Sequence, residues 1–174
     1  LVYELIKQFM HNCYKEAFYD KKAGILGIKT LINDIKISVD FLRKAQPDLV
    51  NAFLFVLKDT QIGVSTQITE NAEKLLIEVL KITLKGVSET DLGSKLLHHT
   101  ITDICIGLSN SQTSVRNACQ KCLTVINEVT NIPVVKLIDR SKKFLLSPIF
   151  AKPLRALSFT MQIGNIDAIT YCLG

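Results

Sequence analysis

Proline and glycine are scarce in this chain, four and eight among 174 residues. With 48% apolar residues beside that scarcity, the chain is neither a linker nor a disordered tail, and it is long enough to bury a sizeable core. Long apolar runs are missing as well. Stretches such as 52–57 fall far short of the about 20 residues that cross a bilayer. No segment alternates as a strand does, none is of low complexity, and no signal peptide is visible. Catalytic patterns are absent too. There is no glycine-flanked serine elbow, no kinase catalytic loop and no Asp/Glu cluster for two-metal chemistry. Five cysteines, an odd number without framework spacing, suit a reducing compartment. A net charge of +5, with acids and bases mixed, does not by itself demand nucleic acid.

What the chain does have is helical periodicity that repeats. Asn71-Ala72-Glu73-Lys74-Leu75-Leu76 has a counterpart 46 residues on, in Asn117-Ala118-Cys119-Gln120-Lys121-Cys122-Leu123. A period in the 40s built of paired helices marks a HEAT-type solenoid. Such a protein works through surfaces rather than a cleft, which argues against an enzyme. The expected fold is all-α, a HEAT-like α-solenoid of about four helical hairpins. Residues 1–174 are expected to form one continuous segment of the array. A start at Leu1 and an end at Gly174 directly after a helix suggest a fragment of a much larger chain.

Eight helices can be placed from their apolar stripes. The first covers 2–17, with Val2, Leu5, Ile6, Phe9 and Cys13 on one face. The second covers 21–36, with Ile25, Ile28, Ile32 and Ile35 inward, and Gly24 and Gly27 admitting a close neighbour. Segment 38–59 is less regular. Ser38 caps a short turn, Pro47 takes a first helical position, and 49–57 is covered on more than one side. Gly63 and Ser65 mark a loop. Helix four spans 67–85 and is ended by Gly86. A capping box, Ser88-Glu89-Thr90-Asp91, opens helix five, whose stripe is Leu97, Ile101, Ile104, Cys105 and Leu108. Ser109-Asn110-Ser111-Gln112 is a second such start, for helix six, with Val115, Ala118, Cys119, Cys122, Ile126 and Val129 inward. Ile132-Pro133 starts helix seven, to about 146. Residues 147–159, with Pro148 and Pro153, are an irregular connection before helix eight at 160–173.

Several motifs invite a chemical reading and have a plainer one. Cys119 and Cys122 have CxxC spacing, but a structural zinc site needs two such pairs, and the other three cysteines are isolated. Mid-helix, i and i+3 on an apolar stripe are core positions. His98 and His99 point about 100° apart on a helix and so grip no common metal. His98 lies at the stripe edge and His99 on the polar face. Gly24-Ile25-Leu26-Gly27 lacks the lysine and the preceding strand of a phosphate loop. The one local excess of positive charge is on helix seven. Lys136, Arg140 and Lys143 share a face opposite Val134, Ile138 and Leu145, with Lys142, Lys152 and Arg155 nearby. The row is the candidate surface for an acidic partner or phosphate; without a partner it is a solvated face. No aromatic residues are read as interleaving with it to stack bases. No catalytic, cofactor-binding or metal-binding residue is expected.

Three blocks carry a family resemblance. The most specific is Ser147-Pro148-Ile149-Phe150-Ala151-Lys152-Pro153-Leu154-Arg155-Ala156-Leu157, followed by residues 161–173. The others are Tyr19-Asp20-Lys21-Lys22-Ala23-Gly24-Ile25-Leu26-Gly27-Ile28-Lys29 and Leu54-Phe55-Val56-Leu57-Lys58-Asp59-Thr60. Together they resemble a segment of the HEAT solenoid of the TRRAP family, the transformation/transcription domain-associated proteins and their yeast counterpart. The resemblance implies a nuclear scaffold in histone acetyltransferase complexes such as SAGA. It implies membership of the phosphatidylinositol-3-kinase-related group with a kinase-like domain that lacks catalytic residues. Partners would be the other subunits, transcriptional activators and the rest of the solenoid, with no cofactor, small-molecule substrate or membrane, and no direct nucleic-acid contact. The alternatives from other classes are a HEAT adaptor of transport or phosphatase-regulator type and the solenoid of an active kinase of that group.

Overall fold

The structure is a computed structural model that describes residues 1–59 and 66–173. Among these residues are eight α-helices, two short 3-10 turns and no strand, as the periodicity requires. The helices are α1 (Val2–Cys13), α2 (Phe18–Asn33), α3 (Val39–Leu57), α4 (Thr66–Thr83), α5 (Lys95–Gly107), α6 (Thr113–Thr130), α7 (Val134–Phe150) and α8 (Phe159–Leu173). They gather into two compact units, Leu1–Thr83 and Leu84–Gly174. None of them is long and apolar enough to cross a membrane.

In the first unit α1 packs on α2 and α3 on α4, and α1–α3 and α2–α4 contacts join the pairs. Gly24 and Gly27 permit the α1–α2 approach. A Cβ on Gly24 would lie 2.6 Å from the Phe9 carbonyl oxygen, and one on Gly27 would lie 2.5 Å from the Phe9 ring. Helix α2 stops earlier than its stripe suggested. The Asp34 and Ile35 amides both close on the Thr30 carbonyl, at 3.0 and 3.1 Å, and Lys36 turns left-handed at φ 53°. That reversal throws Ile35 out of the stripe, leaving it 55% exposed. Leu5 on α1 is also exposed rather than on the buried face.

Helix α3 corrects the reading of segment 38–59. It is one helix with Pro47 inside it, not two pieces. Ser38 is its cap, its hydroxyl accepting the Phe41 amide at 3.4 Å. Pro47 has no N–H to donate to the Arg43 carbonyl, a local loss. Burial on both sides of it, by Leu42 and Ala45 before and Leu49, Val50, Ala52 and Phe53 after, holds the two halves as one element. Covering 49–57 on several sides is as expected, with Phe55 the exposed member. The Arg43 side chain caps the end of α4, its Nε donating to the Thr83 carbonyl at 2.9 Å. Lys21 pairs with Asp59 beside the Phe55 ring. The Gly63–Ser65 loop lies outside the described residues. Gly86, at φ 81°, sits in the turn after α4.

The second unit opens differently from its reading. The Ser88–Asp91 box exists, with the Ser88 amide and hydroxyl both on Asp91 Oδ2 at 2.8 Å. It closes a 3-10 turn (Glu89–Gly93) instead of opening a helix. Helix α5 starts behind a second serine, Ser94, whose hydroxyl accepts the Leu97 amide at 3.4 Å. Its stripe of Leu97, Ile101, Ile104, Cys105 and Leu108 is buried as read. Helix α6 has no side-chain cap at Gln112. The preceding turn is held by Arg116, which donates to the Asn110 and Ser111 carbonyls at 2.9 and 3.2 Å. The same guanidinium reaches Asp167 on α8 at 2.8 Å. Gly164 lets α8 approach that turn, since a Cβ there would lie 2.6 Å from the Asn110 carbonyl oxygen.

Burial refines the repeat. Ile68, Ala72, Leu75, Leu76, Val79 and Thr83 of α4 are buried, and so are Val115, Cys119, Cys122, Leu123, Ile126 and Thr130 of α6. These pairs stand 47 residues apart, as do the helix ends (66 to 113 and 83 to 130). The Asn-Ala identity at a spacing of 46 is therefore one residue out of the packing register. Of the expected α6 stripe only Val129 is not buried.

Candidate partner-binding surface

Helix α7 begins where α6 is stopped. Asn131 takes a left-handed cap at φ 56°, its amide on the Asn127 carbonyl at 2.8 Å. Pro133 then sits at the N-cap of α7. The helix buries Leu137, Ser141, Leu145 and Ile149, an i, i+4, i+8, i+12 stripe. It does not end near 146. It continues through Pro148 to Phe150, leaving the connection shorter, at 151–158, with a 3-10 turn at Leu154–Ala156. Buried Leu145 and Ile149 on either side of Pro148 outweigh the amide that the proline lacks.

Lys136, Arg140 and Lys143 are all exposed, on the face away from that stripe. Their electrostatic states differ. Lys136 Nζ touches both carboxylate oxygens of Glu89, at 2.7 and 2.8 Å. Lys142 Nζ is paired with Asp139 at 2.5 Å. Among the described residues neither Arg140 nor Lys143 has an acidic partner. Lys152 and Arg155 are exposed on the following connection. Two aromatic rings were missed beside the row. Phe144 is 49% exposed, its ring 6.1 Å from that of His98 between centroids, and Phe150 is 70% exposed. Ending the helix at 146 took Phe150 off this element. Glu89 was out of reach of periodicity because it lies 47 residues before Lys136.

The other singled-out residues have structural places. Cys119 and Cys122 are fully buried on α6, and Gly107 of α5 faces Cys119 so closely that a Cβ would lie 2.3 Å from its Sγ. Burial pushes the Cys13 and Cys105 thiols up to about 12, far from a reactive thiolate. His98 is half-buried against Phe144, while His99 is exposed and 3.4 Å from Asp103. Among the described residues no three His, Cys, Asp or Glu side chains are grouped to hold a metal ion. What this geometry offers is an exposed strip carrying two acid-free cations, two neutralised ones and two large apolar rings.

Known proteins resemble the chain along its length. The family described as the Tra1 HEAT repeat ring region matches residues 1–174. The chain is 61% identical to the SAGA complex/NuA4 acetyltransferase complex subunit TRA1 of Saccharomyces cerevisiae, over 98% of this chain and 4% of that protein. It is 33% identical to the SAGA complex/NuA4 acetyltransferase complex subunit Tra1 of Schizosaccharomyces pombe, over 97% of this chain and 5% of that protein. It is 23% identical to the human transformation/transcription domain-associated protein, over 97% of this chain and 4% of that one. The chain therefore spans about one twentieth of the length of these relatives.

Proposed function

The chain belongs to the Tra1 HEAT repeat ring family, and from that premise we propose that it is a non-catalytic scaffold segment of a transcription coactivator subunit of histone acetyltransferase complexes. Its place is the nucleus. Residues 1–174 form one segment of a continuous HEAT array in a longer chain, and its partners are the rest of that array and the other subunits. The 61% identity over nearly the whole chain to a SAGA complex/NuA4 acetyltransferase complex subunit carries this reading. Activator recruitment is the finer part, and it rests on the exposed row of α7. An acidic activation segment meets Lys136, Arg140 and Lys143 through long-range attraction and correct orientation more than through buried contacts.

The test uses the intact protein with its associated subunits. Lys136→Glu, Arg140→Glu and Lys143→Glu together are expected to abolish activator-stimulated histone acetylation on a nucleosomal template. Basal acetylation and subunit composition stay as they were, because all three side chains are exposed. Full stimulation in the triple variant would remove this row from recruitment.

A further inference from the structure

We infer that Glu89 is an internal competitor for the basic row, so that an acidic segment docks first on Arg140 and Lys143, flanked by Phe144 and Phe150, and reaches Lys136 only by displacing Glu89. This rests on the reading of the row as an acidic-partner surface. The Glu89 carboxylate already presents both oxygens to Lys136 Nζ, as an incoming acidic side chain would. It is delivered by a short turn that the Ser88–Asp91 box holds in place. Both side chains of the pair are about half exposed, at 53% and 55%, and exposed pairs of this kind are weak. A segment with several acids can therefore exchange with it.

The occupant follows from what is left over. Arg140 offers a planar fork suited to a carboxylate, and Lys143 a point charge one turn on. Phe144 and Phe150 expose ring surface that a purely charged partner would leave in water. The fitting partner is a protein segment in which acids alternate with aromatic or large aliphatic residues. A single-stranded nucleic acid could also combine charge with stacking. Its evenly charged backbone would have to pass Glu89 and Asp139, which interrupt the row, whereas a peptide can place carboxylates only where free cations stand.

The experiment measures fluorescence anisotropy of a synthetic labelled peptide of alternating Glu and Phe/Leu against the intact protein. At low ionic strength Glu89→Gln should tighten binding by about 2- to 5-fold, the range an exposed pair supplies. The gain should fade as salt is raised. Arg140→Gln should weaken binding, and Lys136→Gln much less. Unchanged affinity in Glu89→Gln, or equal losses in Lys136→Gln and Arg140→Gln, would overturn the competitor role while leaving the surface itself standing. No loss from Arg140→Glu with Lys143→Glu would overturn the surface and the competitor together. Equal competition by a single-stranded oligonucleotide would overturn the peptide as occupant.

Discussion

Helices α4 and α6 each run eighteen residues and bury their side chains in one register, yet they serve different surroundings. Both end on a buried threonine that bonds back one turn. Thr83 Oγ1 donates to the Val79 carbonyl at 2.7 Å, and Thr130 Oγ1 to the Ile126 carbonyl at 2.6 Å. Their partners differ. Helix α4 lies on α3, a nineteen-residue helix, while α6 lies on α5, thirteen residues long behind a 3-10 turn. The difference explains the CxxC pair. Cys119 and Cys122 occupy the positions that Ala72 and Leu75 hold in α4. They are repeat core positions refilled with small sulfur-bearing side chains, where Gly107 brings α5 close.

The largest expected effect probes the shared register. Leu76 and Leu123 are equivalent and fully buried, so Leu76→Ala and Leu123→Ala should each lower unfolding stability by about 2–5 kcal/mol in denaturant titrations. A loss below about 1 kcal/mol at one of the two would break the correspondence. A smaller effect sharpens the contrast. Gly107→Ala puts a Cβ 2.3 Å from Cys119 Sγ, and forcing that contact should destabilise by about 1–3 kcal/mol. Adding Cys119→Ala gives α6 the residue that α4 has and should recover most of the loss. Strict additivity in this double-mutant cycle would refute the close-contact explanation.

The two threonines make a finer distinction. The Ile132 amide also donates to Thr130 Oγ1, at 3.3 Å, so valine at 130 leaves a buried N–H unpaired. Thr130→Val should therefore cost about 1–3 kcal/mol, against about 1 kcal/mol for Thr83→Val. Smallest is the Ser88–Asp91 turn, which has no counterpart among the described residues of the first unit. The Ser88 amide and hydroxyl hold the Asp91 carboxyl below the usual carboxylate range. A depressed folded value means that the stabilisation is present above the unfolded pKa and is lost as pH falls through the folded one. The protection factor of the Ser88 amide, its exchange rate corrected for the intrinsic effect of pH, should hold at pH 5 and fall only at pH values below the ordinary carboxylate range, and Asp91→Asn should make that factor independent of pH.

Helix existence was legible wherever a stripe ran uninterrupted, as in α4, α5 and α6. Pro47 and Pro148 were read as boundaries because proline penalises a helix locally. Burial of Leu49 and Phe53 in α3, and of Leu145 and Ile149 in α7, comes from packing that a local pattern does not contain. The repeat was visible, but Asn-Ala identity drew the eye to a spacing of 46, while burial runs at 47. For the site, i, i+4, i+7 spacing was enough to put three cations on one face. The charge state of the row was not legible, since Glu89 reaches Lys136 only through the tertiary fold.

The most direct measurement is the association rate of an acidic, aromatic-bearing peptide with the intact protein as ionic strength is varied. With Lys136, Arg140 and Lys143 all changed to Glu, association at low salt should slow by about 10-fold or more, and the difference should shrink as salt is raised. Rates identical to the unaltered protein at every ionic strength would show that the α7 row is an ordinary solvated face.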